Sequence, residues 1–135
     1  MSHNDGTASG QVRLVVVMDI LAVVIFGIIG RLSHHENLSP GGLLRTVVPF
    51  AVGLVVGWII VVAVRLVASG WPAGLVVWGA TLVLGMVIRH LTGQGIAVSF
   101  IIVAGIFLAL ELIGWRIVAG LIRRFRAART PSRQS

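Results

Sequence analysis

The segment Ile96 to Trp115, IAVSFIIVAGIFLALELIGW, runs for 20 residues with a single charged side chain, Glu111. A helix rises about 1.5 Å per residue, so a run of this length crosses a hydrocarbon layer of about 30 Å. Three more runs have the same build: Val12 to Gly30, Thr46 to Val64 and Pro72 to Ile88. A chain with four such runs must place them where apolar surface is tolerated. Hydropathy therefore predicts an all-α protein with four transmembrane helices, over 12–30, 46–64, 72–88 and 96–116.

Composition agrees with that reading. The chain is 57% hydrophobic and 11% charged, against about 25% charged in an ordinary soluble domain. A chain of 135 residues is too short to bury so much apolar surface in a water-surrounded core. The expected organisation is a polar, disordered tail over 1–11, a membrane domain over 12–126, and a basic, disordered tail over 127–135. Val12 to Gly30 is too long for the apolar core of a signal peptide, and no small-x-small cleavage motif follows it. It is read as an anchor and the first span. There is no cysteine, which removes disulfides and thiolate metal sites.

Charge distribution bears on orientation and partners. The formal net charge is +7, and every basic side chain is an arginine. Six of the eleven arginines lie from Arg116 onward, against the last apolar run. That position is a membrane flank and not a nucleic-acid patch, so no nucleic-acid partner is expected. Four spans put both termini on one side. The side with the termini holds Arg13, Arg65 and the six C-terminal arginines, whereas the other holds Arg31, Arg45 and Arg89. The positive-inside rule then places both termini in the cytoplasm of a multi-pass inner-membrane protein. Arg123, Arg124 and Arg126, in LIRRFRAAR, are candidates to hold anionic lipid headgroups.

Loop and turn signals divide the spans. Ser39-Pro40 reads as an N-cap followed by proline at the first helical position. Pro49 lies inside the second run, where it should kink the helix or mark its true start. Gly70-Trp71-Pro72 breaks the chain between the second and third runs. Gly53 and Gly57 have the four-residue spacing that lets membrane helices approach closely, and Gly85 is read as a further packing position.

Two motifs recur at nearly one offset. Gly27-x3-Arg31 returns as Gly85-x3-Arg89, and Phe50-x6-Gly57-Trp58 returns as Phe107-x6-Gly114-Trp115. The pattern predicts two tandem helical hairpins as a parallel pseudo-repeat, each copy with two spans. Chance in a Gly- and Val-rich chain is the bland alternative. The acids do not repeat: Val77 stands at the position of Asp19, and Leu54 at that of Glu111.

Asp19 and Glu111 are the acids inside the spans. A carboxylate near the bilayer centre costs about 2.5–3.5 kcal/mol on insertion scales, so it must be paired, hydrated or protonated. Helical rise places both at similar depth, and they are expected to share one polar site with Arg65 and Arg116. That site is either a proton- or cation-coupled centre or an interhelical lock. Trp58, Trp71 and Trp115 fit an interfacial belt. Gly74, Trp78, Thr81 and Gly85 share one face of the third helix, where core packing competes with a pocket. His34, His35, Glu36 and His90 are in loops with no spacing that fixes a coordination shell, so no metal is expected. No nucleophile elbow, P-loop, dinucleotide fingerprint or His-Glu-x-x-His is present. Neither enzyme activity nor a cofactor is expected.

Several of these residues also occur in a familiar order. They are Asp19, Gly27-x2-Gly30-Arg31-x-Ser33-His34, Val48-Pro49-Phe50, Gly57-Trp58, the stretch from Trp78 to Arg89, Ser99-Phe100 and Gly114-Trp115-Arg116. From Leu14 to Ile122 the chain resembles domain-of-unknown-function family 3054, small membrane proteins of actinobacteria and haloarchaea. The resemblance implies a four-span membrane protein with no assigned activity, and it carries over no catalytic residue. Glu111 is not part of the resembling pattern. The expected function is a small transporter or channel-like protein with an intramembrane acid. The alternative is a structural or accessory subunit of a larger membrane complex. Four short helices bury little against one another, so a homo-oligomer or a membrane-protein partner is expected beside the lipid bilayer.

Overall fold

A computed structural model describes residues 3–129, with side chains from Ser9 onward. The described residues form five α-helices: α1 (His3–Ser33), α2 (Pro40–Val64), α3 (Trp71–Leu91), α4 (Val98–Leu112) and α5 (Gly114–Arg129). No strand occurs among them. Four helical stretches are long and apolar enough to cross a membrane: Ser9–Ser33, Pro40–Val64, Trp71–Leu91 and Val98–Arg129. At most a third of the most apolar window of each is buried inside the protein. The remaining surface carries Leu14, Ile59, Val62, Val103 and Leu110, all largely exposed. Water cannot take up that much apolar area in a protein this small, whereas the hydrocarbon of a bilayer can.

The helices are longer than their apolar runs. α1 already begins at His3, so 3–11 is helical and not the expected disordered tail; Met1 and Ser2 lie outside the described residues. Once a helix exists, each added residue gains a backbone hydrogen bond, and no proline interrupts this segment. At the other end, residues 127–129 complete the last turn of α5. The rest of the expected C-terminal tail, 130–135, lies outside the described residues.

The helix ends follow their local chemistry. Ser39 is extended, and its Oγ accepts from the Gly42 N–H at 3.2 Å, with Pro40 opening α2. Pro49 does not end α2; it is buried inside it. A proline lacks the N–H that would bond the carbonyl four residues back, here that of Arg45. Gln94 Nε2 donates to this carbonyl at 3.2 Å. The α3–α4 loop thus supplies the donor that Pro49 lacks. Arg65 closes α2 in the left-handed conformation at φ 62°, its N–H reaching the carbonyls of Val61 and Val62.

The four spans form a ring in which α1 packs on α2, α2 on α3, α3 on α4, and α4 back on α1. The closest approach is between α2 and α3. A β-carbon at Gly53 would lie 2.7 Å from the Ala80 carbonyl oxygen, and one at Gly57 would lie 2.9 Å from Val77 Cα. Backbone meets backbone here, so the glycines set the separation of the two helices. A β-carbon at Gly85 would run into the Phe50 ring. The Phe26 ring contacts Phe50 edge-on at 4.9 Å and Phe107 at 6.0 Å. These rings, with Leu54, Val77 and Leu108, form the apolar core.

The fourth apolar run is divided. α4 stops at Leu112, and Ile113 separates it from α5. The joint sits next to Gly114, which has no side chain to stiffen it. α5 is amphipathic: Arg116 is buried, whereas Leu121, Ile122 and Phe125 are exposed beside Arg123 and Arg124.

Candidate functional site

The α4–α5 joint delivers Arg116 to the interior. Its guanidinium meets Asp19 of α1 in a two-pronged ion pair, with Nη1 to Oδ1 at 2.8 Å and Nη2 to Oδ2 at 2.7 Å. Both side chains have no exposure. Two indoles complete the carboxylate. Trp58 Nε1 of α2 donates to Oδ2 at 3.1 Å, and Trp115 Nε1 donates to Oδ1 at 2.9 Å. A carboxylate offers about four lone-pair sites, and Asp19 receives four donors.

Arg116 is just as fully engaged. Nε donates to the Ala68 carbonyl at 3.0 Å, in the turn between α2 and α3. Nη1 also donates to the Leu112 carbonyl at 2.7 Å, at the end of α4. The guanidinium lies 4.8 Å from the Trp115 ring, a cation–π contact. On α3, a β-carbon at Gly74 would come within 2.8 Å of Arg116 Cδ, so glycine there makes room for the arginine stem. One guanidinium therefore bonds α1, the α2–α3 turn and α4, and the stem behind it passes against α3 at Gly74. Removing two charges from water is expensive, and only complete hydrogen bonding makes such a pair tenable.

The cluster consists of Asp19, Trp58, Trp115 and Arg116. The family model for a protein of unknown function (DUF3054) matches residues 16–119 and takes in all four. The chain belongs to the DUF3054 family. No curated protein and no solved structure matches it.

In this DUF3054 member, Asp19 and Arg116 of the expected polar site come together, and Glu111 and Arg65 do not join them. Glu111 is half-buried, and its Oε2 is shut away from solvent without a hydrogen-bond partner. Arg65 is exposed at the end of α2. Trp58 and Trp115 were expected at the membrane interface. They are half-buried and turn their N–H groups inward, because the carboxylate outcompetes water as an acceptor. Trp71 is exposed. Trp78 donates to the Gly105 carbonyl of α4 at 2.9 Å, while Gly74, Thr81 and Gly85 are buried in packing; the face is core and not a pocket.

Sequence reasoning missed the two indoles as donors. The signal for them was the recurring Gly-Trp pair, whose repeats end on one acid. No group of three or more His, Asp or Glu among the described residues is placed to hold a metal.

A second polar cluster occupies the other end of the bundle, where α1 and α3 finish. Arg31 donates to the Asn37 carbonyl at 2.7 Å and to Thr46 Oγ1 at 3.1 Å, and pairs with Glu36 at 2.8 Å. Arg89 donates to Gln94 Oε1 at 3.0 Å and to the Gly95 carbonyl at 3.1 Å. Each arginine thus ties down the loop that follows its own helix.

Proposed function

We propose that this protein is a structural or accessory membrane component without catalytic activity, and that Asp19 is the lock of its bundle and not an ion-coupling site. The saturation of Asp19 supports this reading. A coupling carboxylate must exchange a proton or cation with water along a path. Asp19 has no exposure, and its oxygens are taken by Arg116, Trp58 and Trp115. Releasing the acid would strand a buried guanidinium, which is strongly unfavourable.

The apolar outer surface supports a home in the lipid bilayer and an interface with a second copy or a partner protein. The arginine distribution supports a cytoplasmic membrane with both termini inside. The convergence of Trp58 and Trp115 on one carboxylate supports descent from a duplicated hairpin, in which Asp19 arose on one copy only.

A second reading, a small carrier, rests on Glu111. It is the intramembrane acid with an unmet buried oxygen, which is the state expected of a group that trades protons. Reconstitution into liposomes separates the two. The accessory reading expects no proton or cation flux above protein-free vesicles, together with a stoichiometric second copy or partner in native pull-downs. A flux abolished by Glu111→Gln in folded protein would establish the carrier instead.

A further inference from the structure

We infer that the end of the bundle opposite the Asp19 lock binds an amphiphile with a negatively charged phosphate headgroup, its acyl chain lying between α1 and α4. Arg31, Arg45 and Arg89 line one chamber of about 410 Å³ with Glu36 and Gln94. Three guanidinium groups face one carboxylate, so the chamber carries an excess of two positive charges. Arg31 is already engaged by Glu36. Arg45 is exposed, and Arg89 keeps a buried Nε with no acceptor. α4 also begins here, and Ala97 at its cap position provides no side-chain acceptor for the first N–H groups. Such a helix end adds to the attraction for an anion.

The chamber does not close toward the membrane. A second cavity, of about 240 Å³, shares Arg31 and Arg89 with it and extends to Phe26 and Phe100. A third, of about 230 Å³, shares those two rings and continues along Ile29, Val103 and Phe107. The Arg89 guanidinium lies 4.5 Å from the Phe100 ring, at the junction of polar and apolar walls. The three spaces form one groove, cationic at the loop end and apolar toward the middle of α4. α2 and α3 are pressed together by their glycines, whereas Leu110 stands on α4 at the repeat position of Gly53. The α1–α4 seam lacks that close approach, which leaves room for a chain. A free phosphate ion would use the chamber alone; a lipid would use the whole groove.

The test uses the purified full chain in a mild neutral detergent, read by native mass spectrometry. It is titrated with phosphatidylglycerol, with phosphatidylcholine of the same acyl chains, and separately with inorganic phosphate. Phosphatidylglycerol should be retained in preference to phosphatidylcholine. Arg45→Gln, at an exposed position, should weaken that retention about fivefold, the equivalent of the ~1 kcal/mol one arginine contributes toward an anionic headgroup. The α5 arginines are common to both proteins and cancel in the comparison. Val103→Trp, at a position 63% exposed in the groove, should displace the lipid and leave phosphate binding unchanged. Equal retention of the two lipids, or no effect of Arg45→Gln, overturns the site. Phosphate binding as tight as lipid binding, with Val103→Trp silent, overturns the amphiphile and leaves a free-anion site.

Discussion

Trp58 and Trp115, 57 positions apart in the chain, donate their indole N–H groups to the two different oxygens of Asp19. One comes from α2 and the other from α5, so the carboxylate on α1 draws both sides of the ring together. The guanidinium of Arg116 occupies the lone-pair positions that the indoles leave free.

The ion pair should behave as a unit. Arg116→Met alone leaves Asp19 buried with only the indoles, and Asp19→Leu alone leaves a buried cation. Each should lower stability by about 3–5 kcal/mol. The double variant Asp19→Leu/Arg116→Met should recover most of that loss. Thermal unfolding in detergent, followed by circular dichroism, reads the cycle. Additive losses would show that the two side chains do not stabilise through each other.

The indoles should contribute less and unequally. Trp58→Phe and Trp115→Phe each remove one bond to a charged acceptor, about 1.5–3 kcal/mol in a buried setting. Trp115 also carries the cation–π contact with Arg116, so its loss should be the larger. In an Asp19→Leu background Trp58→Phe should approach neutrality, whereas Trp115→Phe should keep the part of its loss that comes from the contact with Arg116. Chemical denaturation in mixed micelles gives the comparison.

Gly53→Ala should push α2 away from α3, because the added methyl meets the Ala80 carbonyl and Thr81 Cα at 2.7 Å. Neither is the end of a flexible side chain, so the helices must separate. Overpacking of this kind costs about 1–3 kcal/mol, occasionally more. Gly79→Ala, with nothing within 4 Å, is the matched control and should be neutral or slightly stabilising. Melting temperatures of the two variants measured side by side decide it.

Pro49 and Gln94 should be coupled. In the natural protein, Gln94→Ala removes the donor to the solvent-exposed Arg45 carbonyl, and about 0.5–1 kcal/mol should be lost. In a Pro49→Ala background the restored N–H at position 49 serves that carbonyl, so Gln94→Ala should then have a much smaller effect. A double-mutant cycle with a coupling energy near zero would show that the Gln94 bond does not replace the one proline removes.

Glu111→Gln should fold as well as the natural chain, in contrast to Asp19→Asn. Glu111 Oε2 has no partner to lose, whereas an amide at position 19 replaces one acceptor oxygen with an NH2 group facing donors. Yield of monodisperse protein after size-exclusion chromatography separates the two. Equal losses for both would place Glu111 in the lock as well.

Membrane residence and the number of apolar spans were legible in the sequence because they depend on summed hydropathy and helical rise, properties of each segment taken alone. The N-cap at Ser39 and the close-packing glycines were legible for the same reason: the chemistry is local. Family membership could be read from motif order along Leu14 to Ile122, and the matched residues 16–119 agree with it. The intramembrane acids were identified, but not their fates. Helical rise predicted similar depths for Asp19 and Glu111, but depth along a helix says nothing about which way a side chain faces. Only the packing of the ring and the space opened by Gly74 decided that Arg116 turns toward Asp19. Those contacts join residues up to 97 positions apart, and no local pattern encodes a partner so distant. Summed hydropathy chose the solvent for this chain, whereas tertiary geometry chose which of its few charges would pair with one another.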